Sequence, residues 1–301
     1  MKDSTTELNK IVIAPDAAKE TQILMDGFAA DRPVFEKIRS LGLTKAQVKA
    51  NLGFIADYQC DVDYCAHCPG LSSCHKDSPF HQSDLLLVDG RLERTFGPCK
   101  LYMQEQTVIA SYLYRDFPDE WVSLRPENLS RSNRVRKITG AFTDAKKSPT
   151  KPWVYITGSV GSGRSYLTAA FANGFVINGG KAAFMNANKR FDELKGLAVK
   201  DKKTFESRLT ELESLPLLVI DDFGSEFKSD YVRDQIVLPL LTERAKRNLQ
   251  TVLISDYSLA EIKELYSASR SSAIMAGKLI ALIESKIAGV TPVEPGLENQ
   301  R

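Results

Sequence analysis

Lys151-Pro-Trp-Val-Tyr-Ile-Thr-Gly-Ser-Val-Gly-Ser-Gly-Arg-Ser-Tyr-Leu-Thr-Ala-Ala170 reads as a strand, a glycine loop and the start of a helix. The apolar run Trp153 to Ile156 supplies the strand, and an apolar, alanine-rich pattern leaves the loop. That is the setting a phosphate-binding loop requires. Glycines at 158, 161 and 163 let backbone N–H groups turn inward around phosphate oxygens, and the following helix adds the positive end of its dipole. Ser165 stands where a hydroxyl ligates Mg²⁺. At 164 the pattern calls for a compact lysine ammonium, and this chain carries arginine, a bulkier planar fork that is not equivalent. The loop therefore predicts nucleotide binding by Gly158, Ser159, Gly161, Ser162, Gly163, Arg164, Ser165 and Tyr166, and it leaves hydrolysis open.

A second stretch supports the first. Leu217-Leu-Val-Ile220 is wholly apolar and ends in Asp221-Asp222. Such a run predicts a buried strand with its acids at the carboxyl edge, where open α/β sheets bind ligands. There Asp221 is expected to hold Mg²⁺ through water, and Asp222 to orient the water that attacks the terminal phosphate. The alternative is a strand that merely ends in an Asp-Asp turn. Around these motifs strands are expected at 153–157, 181–186, 217–220 and 251–255. Helices are expected at 164–177, 188–198, 202–213 and 229–247. Strands alternating with helices predict an α/β module with a parallel sheet covered on both faces.

The preceding part of the chain differs in composition. All five cysteines and all three histidines lie between residues 60 and 99. This segregation divides the chain into an N-terminal α+β domain (1–105), a linker with leading helices (106–150) and the nucleotide-binding domain (151–301). Residues 20–56 read as helical, with Phe35, Ile38, Val48, Leu52 and Ile55 at helix spacing. Leu85 to Val88 and Arg91 to Phe96 flank an Asp89-Gly90 turn, a hairpin signal. Cys65-Ala-His67-Cys68 is the tight turn that presents two thiolates to one Zn²⁺. Two bland readings compete with zinc: small buried hydrophobes, and a redox pair, though the flanking strand and helix of a redox motif are missing.

At 301 residues the chain is 43% hydrophobic and 26% charged, with a net charge of +2, so no global attraction to nucleic acid or membrane follows. The basic stretch from Arg131 to Lys151 is either a solvated helix face or a contact to phosphate backbone. No apolar run approaches the roughly 18 residues of a membrane span, and no signal core begins the sequence, which predicts a cytoplasmic protein without membrane contact.

The motifs together resemble bacterial primosomal helicase loaders of the DnaI/DnaC type, whose AAA+ module is similar to the transposition helper IstB. Asp221-Asp-Phe-Gly-Ser-Glu226 resembles that group's second acidic motif, and Tyr231-Val-Arg-Asp234 its following helix. Thr251-Val-Leu-Ile-Ser-Asp256 sits where the family ends a strand in an asparagine that helps position the attacking water. Here the residue is Asp256, expected to repel phosphate charge. The family's paired arginines match Lys278 and Leu282, and Arg244 stands as an alternative arginine acting on a neighbouring subunit. For the N-terminal domain the resemblance implies structural zinc held by Cys65, Cys68, His81 and Cys99, with Cys74 as the alternative to His81. This zinc pattern favours the loader over IstB.

The resemblance implies a protein that binds the hexameric replicative helicase and loads it onto DNA. It also implies ATP or ADP, Mg²⁺ and Zn²⁺ as ligands, contact with single-stranded DNA, and a homo-oligomer on the helicase. Arg164, Asp256 and Leu282 each remove a group that stabilises a transferring phosphate, so ATPase turnover is expected to be weak or absent. The other readings are a non-hydrolysing helicase-binding adaptor or inhibitor, and an IstB-like transposition helper.

Overall fold

The structure, a computed structural model, describes residues 17–294 other than Pro69, Asp77 and Lys228. The chain divides into two units, Met1–Met103 and Gln104–Arg301.

Among its described residues the first unit sets four α-helices beside one hairpin: α1 (Ala17–Ala30), α2 (Arg32–Ser40), α3 (Lys45–Ala50), α4 (Leu52–Ala66), β1 (His81–Val88) and β2 (Arg91–Pro98). Local chemistry fixes the boundaries. Asp31 caps α2 by accepting from the Val34 N–H at 3.2 Å, with a proline in the first turn. Thr44 and Gln47 form a reciprocal capping box at α3. Asp89 and Gly90 both take positive φ, 49° and 76°, which closes the two-residue turn between Val88 and Arg91. Phe28, Val34, Val48, Ile55, Tyr58, Leu85 and Leu92 make the core. Phe35, expected on the inner face, is instead 45% exposed, while Val34 is fully buried and Ile38, one turn on, packs against the same core.

In sequence, α5 (Lys100–Ser111) leads to the six parallel strands of the second unit. These are β3 (Tyr112–Arg115), β4 (Trp153–Thr157), β5 (Ala182–Asn186), β6 (Leu217–Asp221), β7 (Gln250–Ser255) and β8 (Ile287–Pro292), in the spatial order β3-β5-β6-β7-β4-β8. The intervening helices are α6 (Asn133–Lys147), α7 (Arg164–Ile177), α8 (Ala187–Lys200), α9 (Lys202–Ser214), α10 (Leu238–Lys246), α11 (Leu259–Leu265) and α12 (Arg270–Lys286).

Strand alternation feeds two cores. Trp153 and Tyr155 pack with Phe191, Leu212, Ile236 and Leu279 on one face of the sheet. Val154 and Ile156 pack with Ile138, Leu167, Ala172 and Val176 on the other. Burial on both faces explains why the central strands read as unbroken apolar runs.

Three elements depart from expectation. Residues 112–115, within the expected linker, form edge strand β3 beside β5. Ile287–Pro292 forms the other edge, beside β4. The helix expected over 229–247 is interrupted: Val232–Val237 is a π-turn and α10 follows it. Pro239 lacks an N–H and its ring would strike the carbonyl four residues back, so widening the preceding turn accommodates it.

Candidate nucleotide site and cysteine cavity

The loop residues lie where the sheet order brings four strand ends together. Thr157 and Ser255 are register partners, as are Asn186 and Asp221. Gly161 and Gly163 have φ of 81° and 83°, and Gly163 is the N-cap of α7. The left-handed backbone lets the loop turn into the helix without strain. Gly158 is required for a different reason. A Cβ there would stand 2.2 Å from the Val293 carbonyl oxygen and 2.8 Å from Ser162 Oγ. The loop is tied from outside as well: Arg134 Nη1 of α6 donates to the Ser162 carbonyl at 3.2 Å, and Gly158 N–H to the Ser255 carbonyl at 3.3 Å.

Ser165 Oγ donates to Asp221 Oδ1 at 2.9 Å, which joins the loop to the end of β6. Asp222 has a φ of 56°, and its Oδ2 accepts from Asn186 Nδ2 at 2.7 Å. Asn186 was missed by sequence reasoning, although the end of a neighbouring strand is where such a residue belongs. Burial, then the charge of Asp222, push the Asp221 carboxyl up to about 6, against the hydrogen bond from Ser165. Well below pH 3.8, its ordinary value, this carboxyl is protonated folded or unfolded and costs nothing, and the penalty builds up between there and about 6. As pH rises through 6 the folded state carries the charge penalty in full. Asp221→Asn is therefore expected to stabilise the nucleotide-free protein by about 2–3 kcal/mol at pH 8 and to be neutral at about pH 3. Thermal unfolding at the two pH values checks the sign.

The departures at 164 and 256 meet. Arg164 is 5% exposed, and its Nη2 donates to Asp256 Oδ1 in an ion pair. Asp256, expected to stand as a lone repulsive charge, is instead the arginine's partner. Arg164 Nε and Nη1 and Ser162 Oγ are buried without a hydrogen-bond partner among the described residues. Orphaned buried donors at a glycine loop and helix N-terminus fit the oxygens of a phosphate. Tyr166 is 39% exposed, with its ring edge-on to Trp121 at 5.5 Å.

Arg244 does not fit the role of an arginine acting on a neighbour. It is fully buried and bonded to Thr251 Oγ1 and to the carbonyls of Leu212, Leu215 and Gln250. Lys278 is exposed, whereas Leu282 packs partly buried against the core of one face.

In the first unit Cys65, Cys68, Cys74, His81 and Cys99 line one cavity of about 310 Å³ with Lys76. Lys76 Nζ lies 3.5 Å from Cys65 Sγ and 2.7 Å from Asp61 Oδ1. The backbone N–H of Lys76, then that of Phe80, hold the Cys74 thiol below its ordinary value. Cys99 Sγ accepts from the Tyr102 N–H at 3.3 Å, while His81 Nδ1 faces the Pro79 carbonyl at 2.9 Å. The donors are of the kind zinc takes. Among the described residues, however, no three of them are gathered closely enough to hold one ion.

A strand, glycine loop and helix on a parallel sheet of this order match the P-loop module of AAA+ architecture. Residues 138–281 match the family of IstB-like ATP binding proteins. Over 306 residues the chain is 21% identical to the replicative helicase loader DnaI of Bacillus subtilis (strain 168), covering 95% of each sequence. A crystal structure of DnaI superposes with a TM-score of 0.53 at 23% identity, over 62% of this chain and 97% of that one. The chain is thus similar to the helicase loader DnaI along its length, and to IstB-like ATP binding proteins over residues 138–281.

Proposed function

We propose that this chain is a primosomal helicase loader: it binds the hexameric replicative helicase and places it on DNA at initiation, with nucleotide held in the second unit. The observation that carries the reading is the Ser165–Asp221 hydrogen bond, which pairs a loop hydroxyl with a strand-end carboxylate in an IstB-like module. In that module Ser165 would ligate Mg²⁺, Asp221 would hold its water, and Gly158 to Arg164 with Tyr166 would hold ATP or ADP. Asp222, oriented by Asn186, is the group placed to position water. Bound Mg²⁺ supplies charge neutralisation at the phosphates. Co-elution with the purified replicative helicase, and transfer of that helicase onto closed circular single-stranded DNA, tests the proposal. No complex and no transfer would overturn it.

The Arg164–Asp256 pair supports a second reading in which nucleotide is held and scarcely hydrolysed, the protein serving as an adaptor. Both readings share the helicase as partner. Contact with single-stranded DNA and assembly of several copies on the helicase belong to the proposal. In α6, Arg134 and Lys137 donate to the Ser162 and Pro292 carbonyls, so a DNA contact there would draw on the other basic residues of 131–151. Among the described residues no helix is long and apolar enough to cross a membrane.

The first unit supports structural zinc on two grounds. Its S and N donors line one cavity, though no three of them stand within reach of one ion among the described residues, and only seven apolar side chains are buried, with seven more partly buried against them. Cys65, Cys68, His81 and Cys99 would hold the ion, with Cys74 as the alternative to His81. Purified protein is expected to carry one zinc per chain, and Cys65→Ser with Cys68→Ser to abolish both the metal and helicase binding. Metal-free protein with an intact first unit would remove zinc from the proposal.

A further inference from the structure

The two substitutions that separate this loop from the usual pattern form a single unit. Asp256 follows Ser255, the register partner of Thr157, and the Gly158 N–H bonds to the Ser255 carbonyl. The carboxylate thus leaves the sheet beside the first residue of the loop. Its Oδ1 holds Arg164, whose side chain is 6% exposed against 31% for Asp256. Three carboxylates, Asp221, Asp222 and Asp256, stand at the ends of adjacent strands β6 and β7. The one buried cation of the loop is already neutralised by the third of them.

We propose that Asp256 is a built-in counterpart of a terminal phosphate, which makes the site selective for nucleoside diphosphates over triphosphates. This rests on the nucleotide-binding reading of the loop. A diphosphate is cradled by loop N–H groups, the helix N-terminus and the orphaned Ser162 hydroxyl, and it leaves the Arg164–Asp256 pair whole. A triphosphate brings further negative charge toward the edge that the three aspartates occupy. To bring its terminal phosphate against Arg164 Nη2 it must also displace Asp256 from a partly buried pair, and separating such a pair leaves a desolvated charge without its partner. The orphaned Nε and Nη1 of Arg164 remain available to the diphosphate.

The test is calorimetric titration of the full-length chain with ADP and with a non-hydrolysable ATP analogue, both with Mg²⁺. ADP is expected to bind about tenfold more tightly or better, in the range of ordinary site couplings. In Asp256→Asn the ratio is expected to fall to about threefold or less, mainly through a gain in triphosphate affinity. Asp256→Glu, which keeps the charge, is expected to retain the preference. Should Asp256→Asn fail to fold, Asp256→Ser provides the same reading, with circular dichroism confirming the fold. Equal affinities in the unsubstituted chain, or a ratio that Asp256→Asn leaves unmoved, would overturn the selectivity while leaving nucleotide binding intact. Absence of binding in every variant would overturn both.

Discussion

Alanine at Arg244 is expected to destabilise the second unit by about 3–5 kcal/mol, a large fraction of a domain's total stability. The guanidinium is fully buried, and burial alone pulls it down to about 9. It bridges three points of the chain. Nη1 donates to the carbonyls of Leu212 and Leu215 at the end of α9, at 2.6 and 2.8 Å. Nη2 reaches the Gln250 carbonyl at 2.6 Å, and Nε the Thr251 hydroxyl at 2.9 Å, both in β7. Truncation leaves these acceptors without a donor in a region closed to water, and each such group costs about 1–3 kcal/mol. Lysine cannot span the same set, because its donors radiate from one nitrogen. Arg244→Lys is therefore expected to fall between the two. Urea unfolding followed by circular dichroism measures both, and a loss below about 1 kcal/mol for alanine would rule out this role.

The second large effect is on turnover. The unsubstituted chain is expected to release phosphate slowly even with helicase and single-stranded DNA present. The triple reversal Arg164→Lys, Asp256→Asn and Leu282→Arg is expected to raise kcat by about 10³ or more, the scale on which a single well-placed arginine acts in phosphoryl transfer. Arg164→Lys alone should achieve little, because Asp256 would hold any cation placed at 164. The strong non-additivity follows from direct contact between the two side chains. Leu282 is partly buried against the core, so the third change carries a stability cost that a parallel melting curve must record. Rapid hydrolysis by the unsubstituted chain, or a triple variant that stays inert, would count against the picture of a site altered chiefly at these three residues.

Much of the second unit could be read from the chain. Residues 153–157 and 164–177 form β4 and α7 at the expected bounds, and Leu217 to Ile220 is strand up to Asp221. These central elements are buried on both faces or capped by glycine, so their signals are local. The edges are different. β8 contains Gly289 and ends in Pro292, and among the described residues it pairs with one strand only and is mostly exposed, so neither length nor alternation marks it. The same holds for the four residues of β3, whose pairing with β5 is irregular. The π-turn at Val232–Val237 reflects a conflict between Pro239 and helix continuity that pattern matching does not resolve.

In the site, the motif residues were legible one at a time, but not their partners. That Arg164 and Asp256 neutralise each other, that Asn186 holds Asp222, and that Arg134 braces the loop all depend on contacts between distant parts of the chain. Arg244 shows the opposite error. Position at the end of a helix suggested an outward arginine, whereas long-range burial turned it into an internal tie.

The strand that completes the sheet beside β4 is also the one translated last among the described elements. Val293, just beyond it, donates to the Thr157 carbonyl at 2.7 Å, and its own carbonyl sits where any side chain at 158 would have to go. The glycine loop is thus finished by residues made long after it. During synthesis the loop emerges well before its flanking support, so a nascent chain halted after β7 would hold every motif of the nucleotide site and still lack its outer wall. The loop's shape therefore depends on a backbone contact more than 130 residues further along the chain, and a truncation that removes β8 and Val293 leaves every motif in place without that support.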